Sequence, residues 1–413
     1  MFDAYDWLII GGGIHGTYIS NYLITRGYST GDRLAVLDRF SEPLSVWRKQ
    51  TQSTGMRYLR SPAEHNLDVG SGALYQYADT VRAGKSAFER HFRRPDLQLF
   101  NRHCDHVMEK RGLYSVRLQG TAMSIVEKKA GTFEIDTENG ALKAKNIILS
   151  LGNTENLRIP EWVPQYANAA GKISHVLSLD YHDGHNEESG RIAVIGGGIT
   201  AAQKALQLST RFPGQVDLIH GSRLDCRELD FDPCWIEPPC SSKLRKLNDY
   251  RRRKSVLKSV RHNGSMPAWI KKDLERAGSA GRISLLNDMV SMAKVGTEMV
   301  ELTLEVSGVR EYQSVVLAIG FDDCPPGGTL LRQLQEQFPV ELAPCGFPIP
   351  DRYLQIEKGI FVTGALAEFE TGPASRNIYG ARLAAERIVS AYFKPRTKPR
   401  ELNYYYFASR RNN

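Results

Sequence analysis

The 413-residue chain has only six cysteines, Cys104, Cys226, Cys234, Cys240, Cys324 and Cys345, and no two of them form C-x-x-C. That sparsity argues against a zinc module, a disulfide scaffold and a dithiol–disulfide reductase. Reduced thiols are expected, with Cys234 and Cys240 in a proline-rich loop rather than a bridge. No apolar run approaches the roughly 20 residues needed to cross a bilayer. The opening MFDAYDWLIIGGG has no basic n-region and reaches glycine after four apolar residues, so no secretion signal is expected and the expected location is the cytoplasm. Apolar residues at 41% and charged residues at 24% exclude a largely disordered chain and provide core for two or three domains. Basic residues are in excess, 54 against 46 acidic. The excess is local: residues 243–276 hold 12 basic and three acidic side chains, and the rest of the chain is close to neutral.

Asp6 to Leu23 read DWLIIGGGIHGTYISNYL: an apolar strand, a glycine turn and a helix-like segment. The next apolar stretch, Leu34 to Leu37, ends in Asp38. This is the setting a dinucleotide fingerprint requires. Gly11 permits the turn, Gly13 admits a diphosphate to the helix N-terminus, and Gly16 lets helix and strand pack closely. Asp38 stands where a carboxylate accepts from ribose hydroxyls.

The pattern recurs in RIAVIGGGITAAQKALQL, Arg191 to Leu208, with Gly196, Gly198 and Ala201 at the three positions. After the next strand stand Ser222 and Arg223 in place of a carboxylate, a pair suited to a 2′-phosphate and hence to NADP. Two such turns predict two dinucleotides, a flavin and the nicotinamide that reduces it. NIILSLG (Asn146 to Gly152) and SVVLAIGF (Ser314 to Phe321) are each an apolar strand ending in a small residue and glycine, and resemble the strands that lead chains between the two domains of two-dinucleotide flavoproteins. Gly359 to Ile388, with Gly364, Pro373 and Asn377, reads as a final strand–loop–helix and resembles the last FAD-binding segment of such flavoproteins. The expected fold class is α/β, with two Rossmann-like domains and the NADP domain inserted in a split FAD domain. The expected division is 1–170, FAD-binding; 171–307, NADP-binding, carrying the basic helical arm 243–276; and 308–413, the rest of the FAD domain with a C-terminal tail. Antiparallel strands are expected in Tyr114 to Glu138 and Ile283 to Glu305. The arm, broken at Asn263-Gly264 and Pro267, has two readings: a patch that draws in NADPH, or a solvated face with Arg251 to Lys254 pointing at water.

The order of these elements resembles class B flavoprotein monooxygenases, and within them the N-hydroxylating lysine and ornithine N-monooxygenases and related FAD/NAD(P)-binding proteins. The resemblance rests locally on Trp47-Arg48, on Thr54-Gly55-Met56-Arg57-Tyr58-Leu59-Arg60-Ser61-Pro62 and on Gly171-Lys172-Ile173-Ser174-His175 with Tyr181. The chain departs from the family's linker motif at Ala169, where an aromatic is usual, and at Val176. The resemblance implies FAD and NADPH as cofactors, Trp47 beside the flavin, and N-hydroxylation of a primary amine or amino-acid-like substrate by molecular oxygen through a flavin C4a-hydroperoxide. Arg60, His65, His175 and Asn377 are candidates to line the flavin or nicotinamide; no catalytic residue is assigned, and no metal is expected. Two other readings stay open: an NADPH:acceptor flavin oxidoreductase without a redox dithiol, and a non-catalytic dinucleotide-sensing or nucleic-acid-binding protein. Membrane and nucleic-acid partners are not expected, and a homo-oligomer is compatible with the sequence.

Overall fold

The computed structural model describes residues 4–129, 131–165, 171–183, 190–236 and 240–393. Trp7–Ile10 (β1) is four consecutive buried residues, as expected of a parallel strand covered on both faces. Ile14–Thr25 (α1), Leu34–Asp38 (β2), Ser45–Ser53 (α2), Arg117–Gln119 (β3) and Ile147–Leu149 (β4) follow. The chain then supplies Ile173–His175 (β5), Ile192–Ile195 (β6), Ile199–Arg211 (α3), Val216–Ile219 (β7), Tyr250–Val260 (α4), Ala268–Ser279 (α5), Ile283–Leu286 (β8) and Ser314–Leu317 (β9). Gln355–Glu357 (β10), Ile360–Val362 (β11) and Ile378–Ser390 (α6) come last.

These strands form two main sheets. The first runs β10-β11-β4-β1-β2-β3, parallel except for β10. The second runs β8-β7-β6-β9-β5 and is parallel throughout. The first sheet thus takes strands from both ends of the chain, and the second takes only intervening ones. Helix α6 packs on α1, its small residues Ala381, Ala384 and Ala385 buried beside Tyr18 and Ile19. Three-stranded antiparallel sheets accompany each half: Ala122–Lys129, Thr132–Thr137 and Gly140–Ala144 beside the first, and Val290–Val295, Val300–Leu304 and Gly308–Tyr312 beside the second.

Four sequence expectations change. Residues 308–317, assigned to the returning FAD part, pair with the second half instead: Gly308–Tyr312 with Val300–Leu304, and β9 with β6 and β5. An apolar strand carries no mark of which sheet will accept it. Ile283–Leu286, expected to be antiparallel, is the parallel edge strand β8. Cys234 and Cys240 are bonded as a disulfide, not reduced thiols in a loop; their Cα atoms are 5.6 Å apart, within reach of a bridge. The basic arm is a solvated face only in part: Arg251 and Arg252 are exposed, but their neighbours turn inward. Arg253 is buried, its guanidinium 3.4 Å from Glu370, while Lys254 and Arg261 both pair with the fully buried Glu368. The arm's last helix, α5, packs on α3. The run Tyr404 to Phe407 lies outside the described residues.

The two halves are pinned through α3. Lys204 is fully buried, and burial lowers its pKa while Asp183 pulls it back up. Its Nζ donates to the Ser53 carbonyl at the end of α2, to Gln207 and to Asp183, and lies 4.9 Å over the Tyr181 ring. Asp183→Ala would leave this ammonium in the interior without its counter-ion. The expected loss is about 3–5 kcal/mol, read from the guanidinium unfolding midpoint; an unchanged midpoint would contradict the buried pairing.

Candidate functional site

At the C-terminal edge of the first sheet, Ile10 and Leu149, and Leu149 and Val362, lie side by side. Chain ends there line the crevice where open α/β sheets take ligands. Gly11 turns with φ +105°, and a Cβ on it would overlap the Ser150 carbonyl; a Cβ on Gly16 would overlap the Gly11 carbonyl. A Cβ on Gly13 would meet nothing within 4 Å. Gly13 is also the N-cap of α1, with no side-chain cap and no acidic residue in the first turn. Its open face therefore offers an anion the helix N–H groups and the positive end of the dipole. Asp38 accepts from the N–H groups of Gly12 and Phe40, which fixes its carboxylate at the end of β2. Gly152 opens onto free space past β4, and Gly364, φ +65°, follows β11. Pro373 is buried in the short turn Gly372–Arg376. Ser150 Oγ and Arg117 Nε are buried at this edge with no hydrogen-bond partner among the described residues. A donor hydroxyl, a guanidinium and an open glycine cradle fit a dinucleotide diphosphate and its ribose. Trp47 stands one turn into α2, with its ring 5.5 Å from Phe100 and its N–H donated to Asn101.

The second turn is built alike. Gly196 has φ +144°, and a Cβ there would lie 2.5 Å from the Ala318 carbonyl at the end of β9 and 3.1 Å from the Ala201 methyl. Ala201 is fully buried. Gly198 is the uncapped N-cap of α3. Unlike Gly13 it is not open: a Cβ on it would lie 3.2 Å from the Gly264 Cα, in the arm. Ser222 and Arg223 are exposed beyond β7, and the Ser222 carbonyl lies 2.9 Å from His220 Nδ1.

Of the four flavin- or nicotinamide-lining candidates, the structure joins two. Arg60 and Asn377 both bind Asp230, at 2.9 Å each. His65 is buried 5.0 Å from the Tyr379 ring, and burial lowers its pKa from 6.5 to about 3, assisted by Arg382. His175 is buried at the end of β5, with Nδ1 accepting from the Leu177 N–H, and burial lowers its pKa to about 4. Sequence reasoning passed over His15, a spacer in the first glycine turn. Burial lowers its pKa to about 4, so the ring is neutral at pH 7. The Asn377 carbonyl can only accept, so Nε2 carries the proton and donates to it, and Nδ1 accepts from the Thr363 hydroxyl. Arg117 and Asp230 were also missed; no local pattern marks either.

A pH effect follows. His15, His65, His103 and His175 all have folded pKa values near 3 or 4, below the ordinary 6.5. Their stabilisation is complete above pH 6.5 and is lost as pH falls toward those values. Each adds a slope of up to about 1.4 kcal/mol per pH unit. The guanidinium midpoint should fall steadily from pH 6.5 to 4.5, and His103→Gln should remove one histidine's share of that slope. A midpoint that stays level over this interval would contradict the buried neutral rings.

Comparison with known proteins agrees with this geometry. The fold is that of two-dinucleotide-domain flavin monooxygenases. It matches the ornithine N-hydroxylase of Kutzneria sp. 744, solved with reduced FAD, NADP+ and L-ornithine, with a TM-score of 0.73 at 17% identity over 94% of this chain and 98% of that one. It also matches the cadaverine monooxygenase of Erwinia amylovora, solved with FAD, with a TM-score of 0.72 at 14% identity over 94% and 95%. The L-lysine 6-monooxygenase of Pseudomonas syringae gives 0.69 at 20% identity over 94% and 98%. At the level of sequence, residues 91–265 match the family model of L-lysine 6-monooxygenase/L-ornithine 5-monooxygenase. Residues 8–154 match the FAD-NAD(P)-binding model. No curated protein matches the chain. Among the described residues, no helix is long and apolar enough to cross a membrane, and no cluster of His, Cys, Asp or Glu could hold a metal.

Proposed function

We propose that this chain is an NADPH-dependent FAD monooxygenase that N-hydroxylates a primary amine or amino-acid-like substrate. The observation that carries the reading is the pair of glycine turns, one at the edge of each main sheet, in a chain whose residues 91–265 match the lysine/ornithine monooxygenase model. FAD would be held by Gly11, Gly13, Gly16 and Asp38, with Gly152, Gly364, Pro373 and the Ser150 hydroxyl around it. Bound FAD supplies the two-electron and oxygen chemistry. NADPH would be held by Gly196, Gly198 and Ala201, with Ser222 and Arg223 at its 2′-phosphate. The protein's part is placement and exclusion of water: α1 would present its open N-terminus to a phosphate, the N-terminus of α3 lies beside Gly264 of the arm, and neutral His15 holds Thr363 and Asn377 in place beside the first turn. We place the sheet crossings between residues 152 and 172 and between 318 and 355. The proposed location is the cytoplasm, where the Cys234–Cys240 bridge would meet a reducing thiol pool.

NADPH oxidation measured over a panel of primary diamines and basic amino acids tests this, with hydroxylamine and peroxide quantified separately. One amine should stimulate NADPH use and give hydroxylamine; peroxide alone with every amine would refute the reading. Arg223→Ala should raise KM for NADPH roughly tenfold or more and leave KM for NADH unchanged. An equal effect on both would remove Arg223 from the 2′-phosphate site.

A further inference from the structure

We propose that Asp230 is a positioning residue for hydride transfer, tying the arm over the second glycine turn to the helix beside the first; this role rests on the NADPH–flavin reading above. The arm meets the second turn at Gly264, 3.2 Å from where a Gly198 Cβ would stand. The next residue, Ser265, accepts from Arg60 Nη2 at 2.9 Å, and the same nitrogen donates to the carbonyls of Arg227 and Leu229. Arg60 Nη1 lies 2.9 Å from Asp230 Oδ1. The other carboxylate oxygen accepts from Asn377 Nδ2 at 2.9 Å, and the Asp230 carbonyl accepts from the His262 N–H at 2.8 Å. Asn377 is the N-cap of α6, and its carbonyl accepts from His15 in the first glycine turn. One polar route therefore runs from the first turn through His15, Asn377, Asp230, Arg60 and Ser265 to the second. Asp230 is its midpoint, holding three segments far apart in sequence.

The Asp230 side chain is 40% exposed, and a pair in that setting contributes little to global stability. Its effect falls on placement instead. With both cofactors bound, a hydride carrying two electrons would pass from the nicotinamide C4 of NADPH to oxidised FAD, giving NADP+ and FADH−, and Asp230 would set how the two sites are placed for it. Such a transfer depends steeply on the distance between donor and acceptor.

The test uses full-length protein loaded with FAD and mixed anaerobically with saturating NADPH. Asp230→Ala should slow the limiting rate of flavin bleaching at least roughly tenfold. FAD and NADP+ dissociation constants should stay within about threefold and Tm within about 3 °C. Asp230→Asn, whose amide oxygen keeps the acceptor for Arg60 and whose amide nitrogen can donate to the Asn377 side-chain oxygen once that amide turns over, should recover part of the rate. Arg60→Met combined with Asp230→Ala should be no slower than the slower single variant. In cofactor-free protein, hydrogen exchange across residues 261–266 should quicken in Asp230→Ala. An unchanged bleaching rate in that variant, or additive losses in the double, would overturn the role. So would a collapse of Tm or FAD content, which would mark a purely structural residue. A wild-type flavin that NADPH never bleaches would overturn the proposed function itself.

Discussion

Gly16→Ala should leave the protein without flavin. The new Cβ would overlap the carbonyl oxygen of Gly11, a backbone atom already fixed because the Gly11 N–H donates to Leu37 and the turn is locked against β4. Neither atom is the end of a flexible side chain, so α1 must move off β1. That costs about 1–3 kcal/mol in overpacking and withdraws the helix N-terminus from the diphosphate. Flavin content should fall below about a tenth of the wild-type value. Gly13→Ala gives a contrasting result: its Cβ meets open space, so Tm should hold while FAD affinity still falls, since the methyl occupies the anion's approach. Equal FAD affinity in wild type and Gly13→Ala would place the diphosphate elsewhere.

Glu368→Gln should be among the most damaging changes outside the glycine turns. Glu368 is fully buried and faces Lys254, Arg261 and Arg376 at 2.5 to 3.0 Å. Burial alone would raise its pKa, but the three cations outweigh it and hold the carboxyl below its ordinary value. Neutralising it leaves three cations with Asp323, itself 40% exposed, as the nearby counter-ion. Breaking such a set costs about 3–5 kcal/mol. The arm is anchored here, with Leu244 and Leu257 packed against Phe347 and Phe369, so Tm should drop and proteolysis should begin within residues 240–262. Unchanged Tm and an intact arm would mean the ion cluster is dispensable.

The glycine turns were legible because their requirement is local. Positive φ at Gly11 and Gly196, and close backbone approach at Gly16, follow from strand–turn–helix geometry within about ten residues. The strands β4 and β9 were legible as strands for the same reason. What depends on distant partners was not. The arm announced its charge but not its destination, because Glu368 and Glu370 lie over a hundred residues away, in the loop of the strand–loop–helix segment, where nothing local marks them as partners of the arm. The sheet that would take residues 308–317 was equally hidden, since valine and leucine pair with either. Cys234 and Cys240 were read from their proline neighbours, which describe the loop's composition and not the path that brings the sulfurs together. Of the site, the cradle glycines were visible and Asp230 was not: its role exists only where Arg60 and Asn377 converge on it.

The central claim, that this chain inserts oxygen into an amine nitrogen, is tested most directly with isotopic oxygen. FAD-loaded enzyme, NADPH and the amine that stimulates NADPH use are incubated under 18O2, and the product is weighed by mass spectrometry. A hydroxylamine carrying one 18O for each NADPH consumed is the predicted result. Unmodified amine with 18O recovered only as labelled peroxide would contradict the account.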